Sequence, residues 1–378
     1  MLRTKSKRGR SLARRCAAMM IVTSLVAFFV LSRLPNAASA ASGDLDGTFG
    51  AGGIVTTDFF GADDEASAVA IQLDGKIVAA GFALDPSTGH HVFALARYNI
   101  DGGLDDGTAS DITPGDQFGI AGKVTTDFAG AGASATAMAL QPDGKIIAAG
   151  LAINTMGIDD FALARYNTDG SLDTSFGPNH TGKVTTDFGG YDLATSLLIQ
   201  TDGRVIVGGQ ASTSGYVGNC ALARYNADGS LDSSFGANHD GKVLVDLGGQ
   251  DAISALVLTS DGRIIAAGSN SNADFTNFNF ALLRFTPNGL LDSTFGSSGI
   301  VITDFSGGND IASAMTIQGD DKIVVAGLAA GVTPNDFALA RYRSDGALDT
   351  SFGPNGTGKL MTDFTGDNSS ASAVRIRS

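Results

Sequence analysis

Short alternating runs of apolar and small or polar residues recur along the chain, broken by tight Asp-Gly pairs. Ser-Ala-Val-Ala-Ile-Gln from Ser67 meets Asp74-Gly75 and is followed by Lys-Ile-Val-Ala-Ala-Gly from Lys76. Thr-Ser-Leu-Leu-Ile-Gln from Thr195 meets Asp202-Gly203 and is followed by Arg-Val-Ile-Val-Gly-Gly from Arg204. A period of two marks a strand, and two such runs joined by Asp-Gly form the strongest short-range hairpin signal. A third strand is predicted at Phe93–Asn99, Phe161–Asn167 and Phe337–Arg343, and a fourth at Gly122–Phe128 and Gly182–Phe188. Sustained helical periodicity is absent after residue 41.

The pattern is a repeat. Asp169–Gly177 (DGSLDTSFG) returns at Asp228–Gly236, Asn288–Gly296 and Asp345–Gly353, with degenerate copies from Gly43 and Asp101. Its leucines Leu45, Leu104, Leu172, Leu231, Leu291 and Leu348 are separated by 59, 68, 59, 60 and 57 residues, the long step holding an insertion around Asp105–Asp116. Four short antiparallel strands every ~60 residues are what a β-propeller blade requires. The predicted fold is therefore all-β, a β-propeller of four-stranded antiparallel blades. Five complete blades are expected, plus a partial sixth from the two termini, Ile54–Phe59 supplying a fourth-type strand and Ala373–Arg377 a first-type strand. Five blades closing with accessory ends, or a truncated copy of a longer protein, are the alternatives. Alanines such as Ala79, Ala80, Ala94 and Ala96 suit sheets covered on both faces, because small side chains let neighbours approach closely. In the fifth unit Asp320-Asp321 replaces Asp-Gly, so Asp321 is expected at positive φ, which aspartate tolerates better than most residues.

Charge changes the picture of the partner. The whole sequence carries a net −14, but residues 1–40 hold eight Lys and Arg and no acidic residue; the remainder carries 17 basic against 39 acidic residues, a net of −22. Such a surface repels phosphate backbones and anionic lipids, which argues against nucleic-acid binding. Residues 1–40 read as a secretory signal: a basic start, an apolar run from Cys16 to Leu31, and Ala38-Ser39-Ala40 before the cut. The rival reading, an uncleaved anchor, needs about 20 apolar residues. With cleavage, residues 41–378 form one secreted or extracytoplasmic propeller domain, not inserted in a membrane and expected to be monomeric. It keeps a single cysteine, Cys220, which sits at the Phe161 position of its unit and reads as a buried core thiol.

The motifs DGxLDxSFG, QxDGKIVAAG, FALARYN and GKVTTDF together resemble the delta-60 repeat family, a group of secreted bacterial β-propeller repeats of unknown function. The resemblance covers about residues 43–378. It implies a propeller and supplies no catalytic residues to carry over.

Arg97, Arg165, Arg224, Arg284 and Arg341 recur once per third strand, on the face of the apolar residues, so each needs a buried acidic partner. That partner is Asp173, Asp232, Asp292 and Asp349 of the LD pairs, or Asp127, Asp187, Asp246, Asp304 and Asp363 of TDF; a structural latch is the reading. The insertion's Asp105, Asp106, Asp111 and Asp116 are calcium candidates, as are DGxLD carboxylates such as Asp169 and Asp173, because calcium takes several oxygen ligands on tight loops; no other cofactor is suggested. His180 and His239 share one loop position without a zinc pattern. The second-to-third connections (Phe82–Val92, Leu151–Asp160, Gln210–Asn219, Ser269–Asn279, Leu328–Asp336) vary freely. They share a face with fourth-to-first connections bearing Asp63 or Asp64, Asp192, Asp251 and Asp310, the recognition-face candidates. A rigid scaffold presenting diverse loops suits a non-catalytic module binding a protein, glycan or cation. The alternative is a secreted carboxylate-dependent hydrolase or lyase, which would show a polar cluster confined to one or two blades.

Overall fold

The computed structural model describes residues 44–213, 217–272, 274–305, 307–330, 335–364 and 368–376. The signal-peptide reading of residues 1–40 lies outside the described residues. The chain falls into two compact units, Met1–Val55 and Thr56–Ser378. In the first, Asp46 tightens a turn by accepting the Thr48 hydroxyl at 2.6 Å and its amide at 3.0 Å.

The second unit consists of five four-stranded antiparallel sheets, each with its strands in chain order. Blade 1 contains Asp64–Ile71, Ile77–Asp85, His90–Tyr98 and Lys123–Thr126. Blades 2 to 5 begin with Gly132–Leu140, Asp192–Ile199, Asp251–Leu258 and Ile311–Ile317 and end with Lys183–Thr186, Lys242–Val245, Ile300–Thr303 and Lys359–Thr362. Among the described residues no helix is long and apolar enough to cross a membrane.

Local chemistry explains each hairpin. Gly75 takes φ 86° and Asp321 φ 61°, the left-handed conformation the turn requires. A second glycine serves a different end. At Gly81, Gly150, Gly209, Gly268 and Gly327 a Cβ would lie 1.8–1.9 Å from a carbonyl oxygen of the first strand. The register slips beside these close approaches, for example between Ala312 and Ala314. Only glycine fits there.

Each inter-blade layer is apolar. Phe161, Leu163 and Phe176 of blade 2 pack with Val205, Val207 and Tyr225 of blade 3. Cys220 is buried in the next cluster, between blades 3 and 4, and burial pushes its thiol well above the usual range.

Polar bonds tie the layers together. Arg165 Nε donates to Asp173 Oδ2 at 2.8 Å, Nη2 to Ser175 at 3.1 Å, and Nη1 to the Ala227 carbonyl of blade 3 at 2.5 Å. Its guanidinium stacks 4.5 Å from the Phe176 ring. Arg224 and Arg284 repeat the set with Asp232 and Asp292, reaching the carbonyls of Pro287 and Ser344. Arg341 holds Asp349. The arginines thus pair with the LD aspartates and not with the TDF aspartates. Across the same boundaries Tyr166 donates to Thr126, Tyr225 to Thr186 and Tyr342 to Thr303, at 2.8–2.9 Å.

Two expectations need correction. The insertion, placed at Asp105–Asp116 by the sequence, begins after Asp105 and splits the LDxSFG signature of its unit. Arg97 pairs with Asp105, donates through Nη2 to Asp116 at 3.1 Å, and stacks on Phe118. Asp105 is therefore the latch carboxylate, and Phe118 resumes the motif after the inserted residues. The partial sixth blade also does not form as a sheet. Residues 54–59 and 371–376 carry no strand, because no second or third strand lies between them to complete the backbone bonds. Among the described residues, blade 5 and blade 1 share no packing comparable to that between consecutive blades.

Removing one partner of a buried ion pair costs roughly 3–5 kcal/mol, because the other charge stays behind unpaired. Arg165→Ala is therefore expected to lower the unfolding midpoint by at least about 6 °C. Arg343→Ala, at an exposed arginine paired only with exposed Asp345, is expected to shift it by less than about 2 °C. Equal shifts in differential scanning calorimetry would remove the latch as a source of stability.

Candidate functional site

Most recurring acidic positions are committed to the scaffold. Asp192 Oδ2 accepts the Phe188 amide at 2.7 Å and Oδ1 the Ser212 amide at 3.2 Å. Asp251 accepts the Leu247 amide at 2.6 Å and Asn270 Nδ2 at 2.9 Å. Asp310 accepts the amides of Phe305 and Ala330, and Asp64 that of Phe59. Asp192, Asp251 and Asp310 are buried, at 1%, 0% and 0% exposure. They cap the entry to a first strand beneath the face on which sequence had placed them; Asp63 alone of that set is exposed.

The insertion carboxylates are likewise engaged by protein groups. Asp105 and Asp116 both bind Lys76 Nζ, at 3.0 and 2.5 Å, as well as Arg97. Asp111 accepts the amides of Gly107 and Thr113 and the Asn99 side chain, and Asp106 that of Thr108. Protein cations and amides hold these oxygens, so the insertion does not gather them into a calcium cage. Lys76 reveals a partner that sequence reading missed. The basic residue after each Asp-Gly turn binds the same LD aspartate as the arginine: Lys145–Asp173 at 2.8 Å, Arg204–Asp232 at 3.4 Å, Arg263–Asp292 at 2.9 Å and Lys322–Asp349 at 3.5 Å. Its invariant place one residue after the turn was the available signal.

Among the described residues, one further group of carboxylates stands at a single blade boundary. Asp160 is the second residue of the third strand of blade 2 (Asp159–Tyr166), Asp187 follows its fourth strand, and Asp192 opens blade 3. Their carboxylate oxygens lie within 4.8 Å of one another. Asn219 and Asn279 occupy the Asp160 position in blades 3 and 4, so those boundaries lack the third carboxylate. Asp160 and Asp192 are buried and Asp187 is exposed. Burial pushes Asp192 up to about 7, the Phe188 and Ser212 amides opposing the shift and the charges of Asp187 and Asp160 adding to it. Asp160 is raised chiefly by burial, with Asn154 opposing, and half-buried Asp159 beside it is raised by burial alone. Three oxygens so placed fit either a hard cation, which would favour their ionised forms, or a proton held near neutrality.

The second-to-third loops differ from blade to blade. Met156 and Val217 are exposed in the second-to-third loops of blades 2 and 3. In blade 4, Phe275 is half exposed and held at φ 56°. A left-handed aromatic residue is uncommon and costs about 1–2 kcal/mol. Asn272 holds it there: its carbonyl accepts the Phe275 amide at 3.0 Å and its side chain the Thr276 amide at 2.9 Å. His180 and His239 adopt φ 53° and 57°, which makes them turn residues of the opposite connection.

A family model agrees with the repeat architecture. Residues 141–176, 200–235, 259–295 and 318–352 match the model of a family described as a domain of unknown function (DUF5122), β-propeller. These four stretches are thus β-propeller repeats of unknown function. No curated protein matches the chain. Among solved structures, a protein of unknown function from Bacteroides caccae is 11% identical, with 79% of this chain and 82% of that chain covered and a TM-score of 0.44. One from Dyadobacter fermentans DSM 18053, also of unknown function, is 11% identical over 80% and 84%, with a TM-score of 0.45. An ulvan lyase, a polysaccharide lyase, is 8% identical over 74% and 67%, with a TM-score of 0.43.

The shifted carboxyls set a pH dependence of stability. A carboxyl whose folded pKa is raised adds stability below its unfolded pKa near 4 and loses it as pH rises through the folded value. Asp192, with Asp251 and Asp310 shifted the same way by burial, thus favours the fold at pH 5 over pH 8. The latch carboxylates act oppositely. Asp173 is lowered despite burial because Lys145, Ser175 and Arg165 bind its ionised form, and Asp349 is lowered to about 2, chiefly by the Ser351 hydroxyl. Their contribution is present above pH ~4 and is lost as pH falls further. The unfolding midpoint is expected to peak near pH 5, and Asp192→Asn is expected to flatten the slope between pH 5 and 8. A midpoint rising steadily from pH 5 to 8 in the unaltered chain would contradict this.

Proposed function

We propose that this chain is a secreted or extracytoplasmic, non-catalytic propeller of the delta-60 repeat type that binds a protein or glycan on its variable-loop face. Phe275 is the observation that carries this reading. An aromatic side chain kept half exposed at a conformation that glycine prefers is the kind of local strain that concentrates at binding sites. It stands on a loop whose sequence and length differ from those of the other blades, above a scaffold whose recurring charges are internally paired. Met156 and Val217 extend the apolar contact surface on the neighbouring loops.

A second reading is favoured by the Asp160–Asp187–Asp192 cluster, a polar group confined to one boundary. A carboxyl titrating near 7 beside two acids suits general acid–base work, so a carboxylate-dependent hydrolase or lyase is the alternative. Calcium bound by the same oxygens is the form of this site that leaves the function non-catalytic.

The test is a panel of oligosaccharides and peptides scored by thermal shift and by product formation. Phe275→Gly relieves the strained φ and is expected to keep or raise the unfolding midpoint, by about 1 kcal/mol in stability, while weakening the binding of any panel ligand at least about tenfold. Product release that survives Phe275→Gly and disappears in Asp192→Asn would replace the binding reading with the enzymatic one. Calcium at millimolar level is expected to stabilise the chain more at pH 8 than at pH 5, because it competes with the Asp192 proton; an equal response at both pH values would remove the cation from this site.

A further inference from the structure

One blade corner breaks the charge pattern of the other four. In blades 2 to 5 the basic residue after the hairpin turn lies over the corner and pairs with the turn aspartate as well as with the LD aspartate. Lys145 stands by Asp143, Arg204 by Asp202, Arg263 by Asp261 and Lys322 by Asp320, all within 4.0 Å. In blade 1 that residue is Lys76, and the insertion draws it inward. Its Nζ donates to Asp105, Asp116 and the Thr113 hydroxyl. Its side chain is 5% exposed, against 29–39% for the other four. Asp74, the turn aspartate of blade 1, is exposed and accepts the Lys76 amide at 3.1 Å, but it has no cationic partner among the described residues.

The corner that Lys76 leaves uncovered is a cavity. It lies between the hairpin turns of blades 1 and 2, at the end of the strands opposite the variable loops. Its volume is about 590 Å³, and Asp74, Asp116 and Asp169 line it against a single guanidinium, that of Arg97. Arg97 is already committed, since its nitrogens donate to Asp105, the Thr168 carbonyl and Asp116. At the equivalent corner between blades 4 and 5 the cavity is about 360 Å³, and Arg263 joins Arg284 in a wall that also holds three aspartates. The blade 1 cavity is therefore larger and one positive charge poorer. Its apolar side is also particular to it. Leu73 is fully exposed at a turn position where the other blades carry Pro142, Thr201, Ser260 and Gly319. With Leu140 and Pro142 it forms an apolar wall beside the carboxylates. An exposed leucine means little alone; in a concave site with convergent polar groups it completes a binding surface.

We propose that this cavity binds a primary ammonium or guanidinium at the end of an aliphatic chain, the group that a lysine or arginine side chain carries. The repeat specifies the occupant: in four blades such a group stands beside the turn aspartate, and in blade 1 the guest supplies it. The cation pairs with Asp74, while Asp116 and Asp169 add to the negative potential of the walls. An exposed ion pair alone contributes little. The stem adds to it by lying along Leu73, Leu140 and Pro142, where both apolar surfaces leave water. The same carboxylates repel an anionic ligand. This site is separate from the variable-loop face, and neither reading depends on the other.

The probes are n-butylamine and n-butylguanidine, n-butanol as the neutral control, and capped glycine pentapeptides with a central lysine or arginine, each titrated into the full chain by NMR. Saturable binding of both small cations at roughly millimolar concentration or below is expected, with none for n-butanol. Peptides that bind more tightly than the small cations would make a protein segment the source of the charge; equal affinities would make it a free amine. Asp74→Asn keeps an acceptor for the Lys76 amide, and Leu73→Ser places serine at the turn as in blade 4. Each is expected to weaken binding at least about threefold while leaving the unfolding midpoint of the free chain unchanged. Asp143→Asn, at a corner whose lysine is in place, is expected to leave binding unchanged. Absence of saturable binding would overturn the proposal. So would equal affinities of the unaltered chain and Asp74→Asn, or equal losses in Asp74→Asn and Asp143→Asn, since the cation would then be held by the general acidity of the surface.

Discussion

The structure depends on a guanidinium placed where two blades meet. Each third-strand arginine binds the aspartate of its own LD turn, stacks on the phenylalanine of the same motif (three residues beyond the aspartate, or thirteen in blade 1), and in four of five blades donates to a carbonyl of the next blade. A buried guanidinium has five N–H groups to satisfy and cannot shed its charge. That demand orients the LD turn, which in turn positions the following blade's Asp-Gly corner against it. The lysine or arginine after the hairpin turn adds a second cation to the same carboxylate, so one aspartate ties together the hairpin, the third strand and the corner. Apolar burial drives the layers together; the arginine fixes their registry.

Because the latch and the strand-entry caps engage most of the recurring charges, what is left for recognition is what does not recur. The Asp160–Asp187–Asp192 cluster exists because blade 2 has aspartate where blades 1, 3 and 4 have Val92, Asn219 and Asn279. Phe275 stands out for the same reason, a single loop with a strained aromatic residue. Both lie among the connections that vary, while the opposite connections, with their left-handed His180 and His239, repeat. The scaffold thus divides into a conserved-geometry side that holds blades together and a variable side free to differ.

Much of the fold was legible because strand periodicity and Asp-Gly corners are local signals, and the ~60-residue step repeats them until the architecture is unambiguous. Asp321 could be placed at positive φ from the turn alone. The arginine's need for an acid was legible too, but not which acid, since LD and TDF both recur once per unit. Side-chain direction explains the larger misses. Spacing put Asp192, Asp251 and Asp310 on the variable face without revealing that they point inward to cap strand entries. It also assigned Asp105 to the insertion, where the inserted residues in fact follow it and Phe118 completes the motif. The carboxylate cluster was invisible in the sequence because its members come from two blades and meet only across their boundary.

The central claim is that the arginine and its aspartate stabilise the blade boundary as a coupled pair. A double-mutant cycle on Arg224→Ala and Asp232→Ala, read by denaturant unfolding, measures that coupling directly. The double variant is expected to be less destabilised than the sum of the single variants, with a coupling of at least about 1.5 kcal/mol. Additivity to within roughly 0.3–0.5 kcal/mol would mean that the two residues do not act together, and that apolar packing alone holds the blades.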